Sequence, residues 1–169
     1  MTRSDSLYLS TTVADILISK KWLLCVAESC TGGWLAKTCT DIAGSSSWFD
    51  RGFVTYSNQS KQDMLDVKPT TLEQFGAVSK QVVIEMAQGA LTHSSANMSV
   101  AITGIAGPDG GSPEKPVGTV WFAWASNNAD VITELHHFNG DREAIRLQAV
   151  ETALQGIIKN ARDSSSYMG

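Results

Sequence analysis

No apolar run in this 169-residue chain approaches the roughly 20 residues that span a bilayer. The start, Met1 to Ser6, is polar, and no uninterrupted apolar stretch with a small-residue cleavage site follows it. Neither a signal peptide nor a membrane partner is expected, which assigns the chain to the cytoplasm. Cysteine is scarce: Cys25, Cys30 and Cys39 make no CxxC pair and no dense disulfide framework, and in a reducing compartment they stay thiols. Histidine is equally scarce. His93, His136 and His137 stand in no HExxH or similar spacing, so no metal site is expected. Lys/Arg-rich runs are missing and the net charge is −4, the reverse of the basic stripe that neutralises phosphates, so no nucleic-acid partner is expected.

What is present is an alternation of elements. Leu9, Val13, Ile16 and Leu17 recur at helical spacing, predicting a helix over Asp5 to Lys20. Trp22 to Ala27 is a short apolar run suited to a strand buried on both faces. A helix from about Gly32 to Thr40, a loop from Ile42 to Ser47 and a strand from Phe49 to Tyr56 follow. Ser57 caps a short helix through Leu65, Thr70 to Phe75 is another, and Ser79 caps a longer one with Val83, Met86, Ala87, Ala90 and Leu91 buried. Met98 to Thr103 reads as a strand, and Gly104 to Gly118 as a long loop holding most of the prolines. Val120 to Ala125 and Val131 to Phe138 form a hairpin, and Asp141 caps the last helix. This order predicts an α/β fold: a three-layer α/β/α sandwich on a mixed, mainly parallel sheet. With no repeat and no linker, residues 1–162 are read as one domain and 163–169 as a flexible tail.

Four segments carry groups capable of chemistry. Ala27-Glu28-Ser29-Cys30-Thr31-Gly32-Gly33 is a strand-to-helix turn. In open α/β sheets such turns face ligand, and the helix behind them offers free N–H groups to an oxyanion or phosphate. The segment reads equally as a helix start capped by Ser29 or Thr31. Tyr56-Ser57-Asn58-Gln59-Ser60-Lys61 places a phenol and an amine near one sheet edge. A desolvated lysine can act as the base that a serine nucleophile needs; otherwise Tyr56 packs on the sheet and Lys61 is solvated. Thr103 to Gly111 can form a nest of backbone N–H groups for an anion, or be a surface crossover. Arg142 can bind a phosphate in bidentate fashion or pair with Asp141 or Glu143. Cys30, with no partner histidine, is read as packing.

Together these segments resemble the CinA C-terminal domain family. The resemblance rests on Ala27 to Gly33, Asp41 to Ser46, Arg51 to Asn58, Gly76 to Ser79, Thr103 to Gly111, Lys115 to Val120 and Gly140 to Arg142, in the family's order. It implies the stand-alone form of an amidohydrolase that converts nicotinamide mononucleotide to nicotinate mononucleotide and ammonia, in pyridine nucleotide salvage. It also implies no cofactor, a small-molecule nucleotide as partner, and a homodimer. The family's serine, tyrosine and lysine fall on Ser29, Tyr56 and Lys61, and substrate contacts on Ser46, Thr103 and Arg142. The turn and the loop add Thr31, Gly32, Gly33, Gly104 and Gly107 as expected substrate-binding positions. The alternative from another class is a non-catalytic nucleotide-binding or interaction module related to competence- or damage-inducible proteins.

Overall fold

The computed structural model describes residues 3–164. Of the expected flexible tail, residues 165–169 lie outside the described residues. In chain order the elements are α1 (Arg3–Lys20), β1 (Leu24–Glu28), α2 (Trp34–Thr40), a 3-10 turn (Ser45–Ser47), β2 (Phe49–Val54), α3 (Asn58–Leu65), α4 (Pro69–Phe75), α5 (Lys80–Thr92), β3 (Met98–Gly104), β4 (Thr119–Ser126), β5 (Ile132–His137) and α6 (Arg142–Asp163). The strands form one sheet in the order β2-β1-β3-β4-β5. β1 pairs in parallel with both β2 and β3, and β4 runs antiparallel to β3 and β5. Four strands therefore share one direction and β4 alone opposes them, which is the mixed α/β arrangement expected.

The pleat sorts side chains between two helical layers. Leu24 and Val26 of β1, Met98, Val100 and Ile102 of β3, and Val120, Phe122 and Trp124 of β4 bury against α1, α2 and α6. Cys25, Ala27, Ala101, Ala123 and Ala125 project the other way, against α3, α4 and α5. That second face is nearly all small residues, so α5 settles close to the sheet through Val83, Met86, Ala87 and Ala90.

Differences from the expected bounds have local causes. β1 starts at Leu24 because the chain first reverses at Lys21, with φ 57°, and Trp22 N–H bonds back to the Leu17 carbonyl at 2.9 Å. α2 starts only at Trp34, because Gly32 and Gly33 are both left-handed, at φ 60° and 101°, a conformation that unrolls the turn before a helix can begin. The caps Ser57, Ser79 and Asp141 are where the sequence places them, each accepting from the N–H three residues on.

Packing between layers is tightest where α6 crosses β4. A Cβ on Gly156 would stand 2.0 Å from the buried Trp124 ring, and the Trp124 indole N–H is fixed on the Ala153 carbonyl at 3.1 Å. Gly156→Ala is expected to destabilise the fold by about 2–3 kcal/mol through overpacking, read as a lower urea midpoint at unchanged slope. A loss too small to measure would mean that α6 and β4 are not locked as described.

Candidate active site

A cleft of about 270 Å³ opens beyond the carboxyl ends of β1 and β3. Its wall includes Ser29, Cys30, Tyr56, Lys61, Thr103, Gly104, Gly107 and Arg142. The position follows from topology, since ligand crevices in open α/β sheets lie at that edge.

Alternation along β1 decides which groups reach it. Ser29 N–H still bonds to the Ile102 carbonyl at 3.1 Å, so the pleat continues one residue past the strand. Glu28 therefore faces the α2 side and Ser29 the α3 side. Glu28 is fully buried, and its carboxylate accepts from Leu35 N–H at 2.8 Å and Ala36 N–H at 3.0 Å. It seals the start of α2, a favourable place for a negative charge. The expectation that this helix start is open to an anion is corrected by that bond, as is the reading of Ser29 or Thr31 as its cap: no side chain caps from the Gly33 N-cap position.

Lys61 comes to Ser29 from α3. Gly89 of α5 lets the end of α3 pack against it, since a Cβ there would meet the Leu65 carbonyl oxygen at 1.9 Å. The amine is 1% exposed. Its Nζ lies 3.0 Å from Ser29 Oγ, 2.8 Å from the Thr55 carbonyl and 3.3 Å from the Tyr56 carbonyl. Burial pushes its pKa down from the usual 10.5 to about 8. The neutral amine fits this site well: two N–H bonds go to the two carbonyls and the lone pair faces the Ser29 hydroxyl. Cys30 is the opposite case, its thiol pushed up to about 11 by burial. A thiol of that kind is inert, which agrees with its reading as packing.

The other expected positions divide. Tyr56 lines the cleft, but its phenol accepts from Arg142 Nη2 at 3.1 Å and does not stand between Ser29 and Lys61. Arg142 also donates to the Gly107 carbonyl at 2.7 Å, tying the long loop to α6. Thr103 lines the cleft, with its hydroxyl donating to the Ala77 carbonyl at 2.9 Å. Thr31, Gly32 and Gly33 turn away from the cleft. Thr31 is fully buried, its hydroxyl without a partner among the described residues; Gly32 faces Arg146 and Gly33 faces Val54. Ser46 does not join the site either. It is exposed in the 3-10 turn that leads into β2, hence at the edge of the parallel strands opposite Ser29.

Three lining residues were not singled out from sequence. Asn58 opens α3, Val78 precedes the α5 cap, and Asp109 lies in the long loop. Their placement beside Tyr56, Ser79 and Gly107 was the only available signal. Among the described residues no three His, Cys, Asp or Glu side chains gather as metal ligands, and no helix is long and apolar enough to cross a membrane.

Comparison with known proteins gives consistent matches. The family model described as CinA C-terminal domain matches residues 7–161. A nicotinamide-nucleotide amidohydrolase PncC of Enterobacter agglomerans is 58% identical over 90% of this chain and 95% of its own length. The protein of that name from Escherichia coli K12 is 57% identical, over 92% and 94%. Among solved structures, a competence/damage inducible protein, CihA, from Agrobacterium tumefaciens is 47% identical, with a TM-score of 0.89 over 92% of this chain and 94% of that one.

The buried amine leaves a signature in stability. The folded protein loses the Lys61 proton near pH 8 and the unfolded chain near 10.5. Between those values the unfolded state binds more protons, so this lysine's contribution to stability rises with pH; below 8 its handicap is constant. Replacing Lys61 by Met removes the handicap. The melting temperature of Lys61→Met minus that of the parent is expected to be larger at pH 6.5 than at pH 10. A difference that does not change with pH would show that the amine is not desolvated.

Proposed function

Since the chain belongs to the CinA C-terminal domain family, we propose that it hydrolyses the carboxamide of nicotinamide mononucleotide, releasing ammonia, with Ser29 as nucleophile. The identities to amidohydrolases of that name support the reaction, and one observation supports the mechanism: the buried, readily deprotonated Lys61 amine is 3.0 Å from Ser29 Oγ. A nucleotide-binding module has no use for that contact.

In this mechanism the Lys61 lone pair takes the hydroxyl proton as Ser29 Oγ attacks the carboxamide carbon. The tetrahedral oxyanion is met by backbone N–H groups of the Ser29 turn, at Cys30 and Thr31. The α2 N–H groups of Leu35 and Ala36 are engaged by Glu28 and take no part. As the C–N bond breaks, Lys61 returns the proton to the departing amine, which leaves as ammonia. Lys61 then deprotonates a water that attacks the acyl-enzyme, and nicotinate mononucleotide is freed as Ser29 regains its proton. The relay expected of Tyr56 and Lys61 together is carried by Lys61 in this geometry. Tyr56 supplies a carbonyl that orients the amine and a phenol on the cleft wall. Arg142 and the Gly104–Gly110 segment line the part of the cleft that receives the ribose phosphate.

Purified protein incubated with nicotinamide mononucleotide should release ammonia stoichiometrically with nicotinate mononucleotide; no release under any condition would remove the reading. Ser29→Ala and Lys61→Ala should each lower kcat by about 10³-fold or more, and the double variant should be no worse than either alone, as for groups that act as a unit. Because the base must be neutral, kcat/KM should rise with pH and level off above about 8. A flat profile from pH 6 to 9 would count against Lys61.

A further inference from the structure

The turn that carries Ser29 is gripped from its far side by a residue that no motif brought forward. Arg146, one helical turn beyond Arg142 on α6, donates from Nε to the Cys30 carbonyl at 3.0 Å and from Nη2 to the Thr31 carbonyl at 3.1 Å. Its guanidinium carbon stands 5.4 Å over the Trp34 ring, a stacking that fixes the plane of the fork. No carboxylate pairs with Arg146 among the described residues. Gly32, between the gripped carbonyls and α2, leaves it room: a Cβ there would lie 3.4 Å from Nη2.

The consequence follows from peptide geometry. In a planar trans peptide the carbonyl and the N–H point in opposite directions, and the peptides of this turn are trans. Carbonyls of residues 30 and 31 drawn toward α6 turn the N–H groups of Thr31 and Gly32 away from it, toward the face on which Ser29 and Lys61 meet. Gly32 N–H closes back on the Ser29 carbonyl at 3.1 Å, which leaves Thr31 N–H. We propose that Arg146 is a positioning residue: by holding the Cys30 and Thr31 carbonyls it aims the Thr31 N–H at the oxyanion that forms on attack by Ser29. This rests on the reading of Ser29 as an amidase nucleophile.

The test compares the full-length protein with Arg146→Ala, Arg146→Lys, and Ser29→Ala as a blank. Two readouts are used: turnover of nicotinamide mononucleotide, and labelling of Ser29 by a fluorophosphonate, followed by intact mass. Loss of one oxyanion donor typically lowers kcat by about 10²–10³-fold. Arg146→Ala should approach that loss with KM changed less than about threefold, and should label more slowly. Methylguanidinium added to Arg146→Ala should recover part of the rate, and should do nothing for Ser29→Ala. Arg146→Lys, a point charge that cannot match the fork, should fall between; it also serves if Arg146→Ala does not fold. The pH midpoint near 8 should stay in place, since Lys61 is untouched. An Arg146→Ala protein that labels and turns over like the parent overturns the proposal, and so does a loss that appears only as a shifted pH midpoint. A parent that labels at Ser29 but leaves the nucleotide intact, with slow labelling in Arg146→Ala, would refute the substrate and uphold the clamp. A parent inert to both reagents would overturn the nucleophile and the clamp with it.

Discussion

An amine buried against a hydroxyl is the constraint around which the molecule is arranged. Lys61 has almost no access to water, and its surroundings offer two carbonyl oxygens and one serine oxygen. An ammonium there would lose its hydration and find no carboxylate; a neutral amine finds two acceptors and one donor. The low pKa and the reactivity of Ser29 are thus one fact seen twice. Much of the neighbouring structure serves to keep that amine in place. Ser57 caps the short helix that carries it, Leu65 anchors the other end, and Gly89 lets α5 lie against the helix terminus. Natural cores avoid lone cations because they destabilise, and here the destabilised group is the one able to accept a proton.

The second constraint is the two-residue period of β1. It sends two adjacent polar side chains, Glu28 and Ser29, to opposite faces of the sheet, and each meets a different partner. Glu28 neutralises the start of α2 and Ser29 meets Lys61. A one-residue slip in the β1 register would exchange them, setting a carboxylate beside the amine and raising its pKa, with the catalytic pair lost. The parallel ladders with β2 and β3 on both sides exclude that slip.

Much of this is legible in the sequence, and what is not has a common cause. The buried runs, the helix caps and the hairpin can be read locally, because each depends on neighbours within a few residues. So can the gathering of Ser29, Tyr56, Lys61, Thr103 and Arg142 at one edge: each follows or ends a strand, or opens the last helix. Glu28 was not legible, since its partners are reached only after two left-handed glycines redirect the chain. Ser46 fails on topology. A residue just before a parallel strand stands at the opposite edge from one just after it, so a motif that surrounds Ser46 says nothing about which end of the sheet it occupies. The Tyr56 phenol was expected beside the lysine five residues on; a guanidinium 86 residues away takes it instead.

That guanidinium belongs to α6, and α6 is what turns three separate loops into one site. Its first turn presents Arg142 to the Gly107 carbonyl and the Tyr56 phenol, and its second presents Arg146 to the Ser29 turn. Loops alone would place these groups imprecisely, because loop backbone is the most mobile part of a fold. α6 is the reverse: a 22-residue helix whose inner face is buried against the sheet and α1, and which is locked over Trp124 at Gly156. Anchoring mobile segments to so fixed a body lowers the reorganisation needed when charge develops on the substrate oxygen, which is where preorganised dipoles act most strongly. A change deep in the α6–β4 packing should therefore be felt at Ser29 even though it touches no part of the cleft.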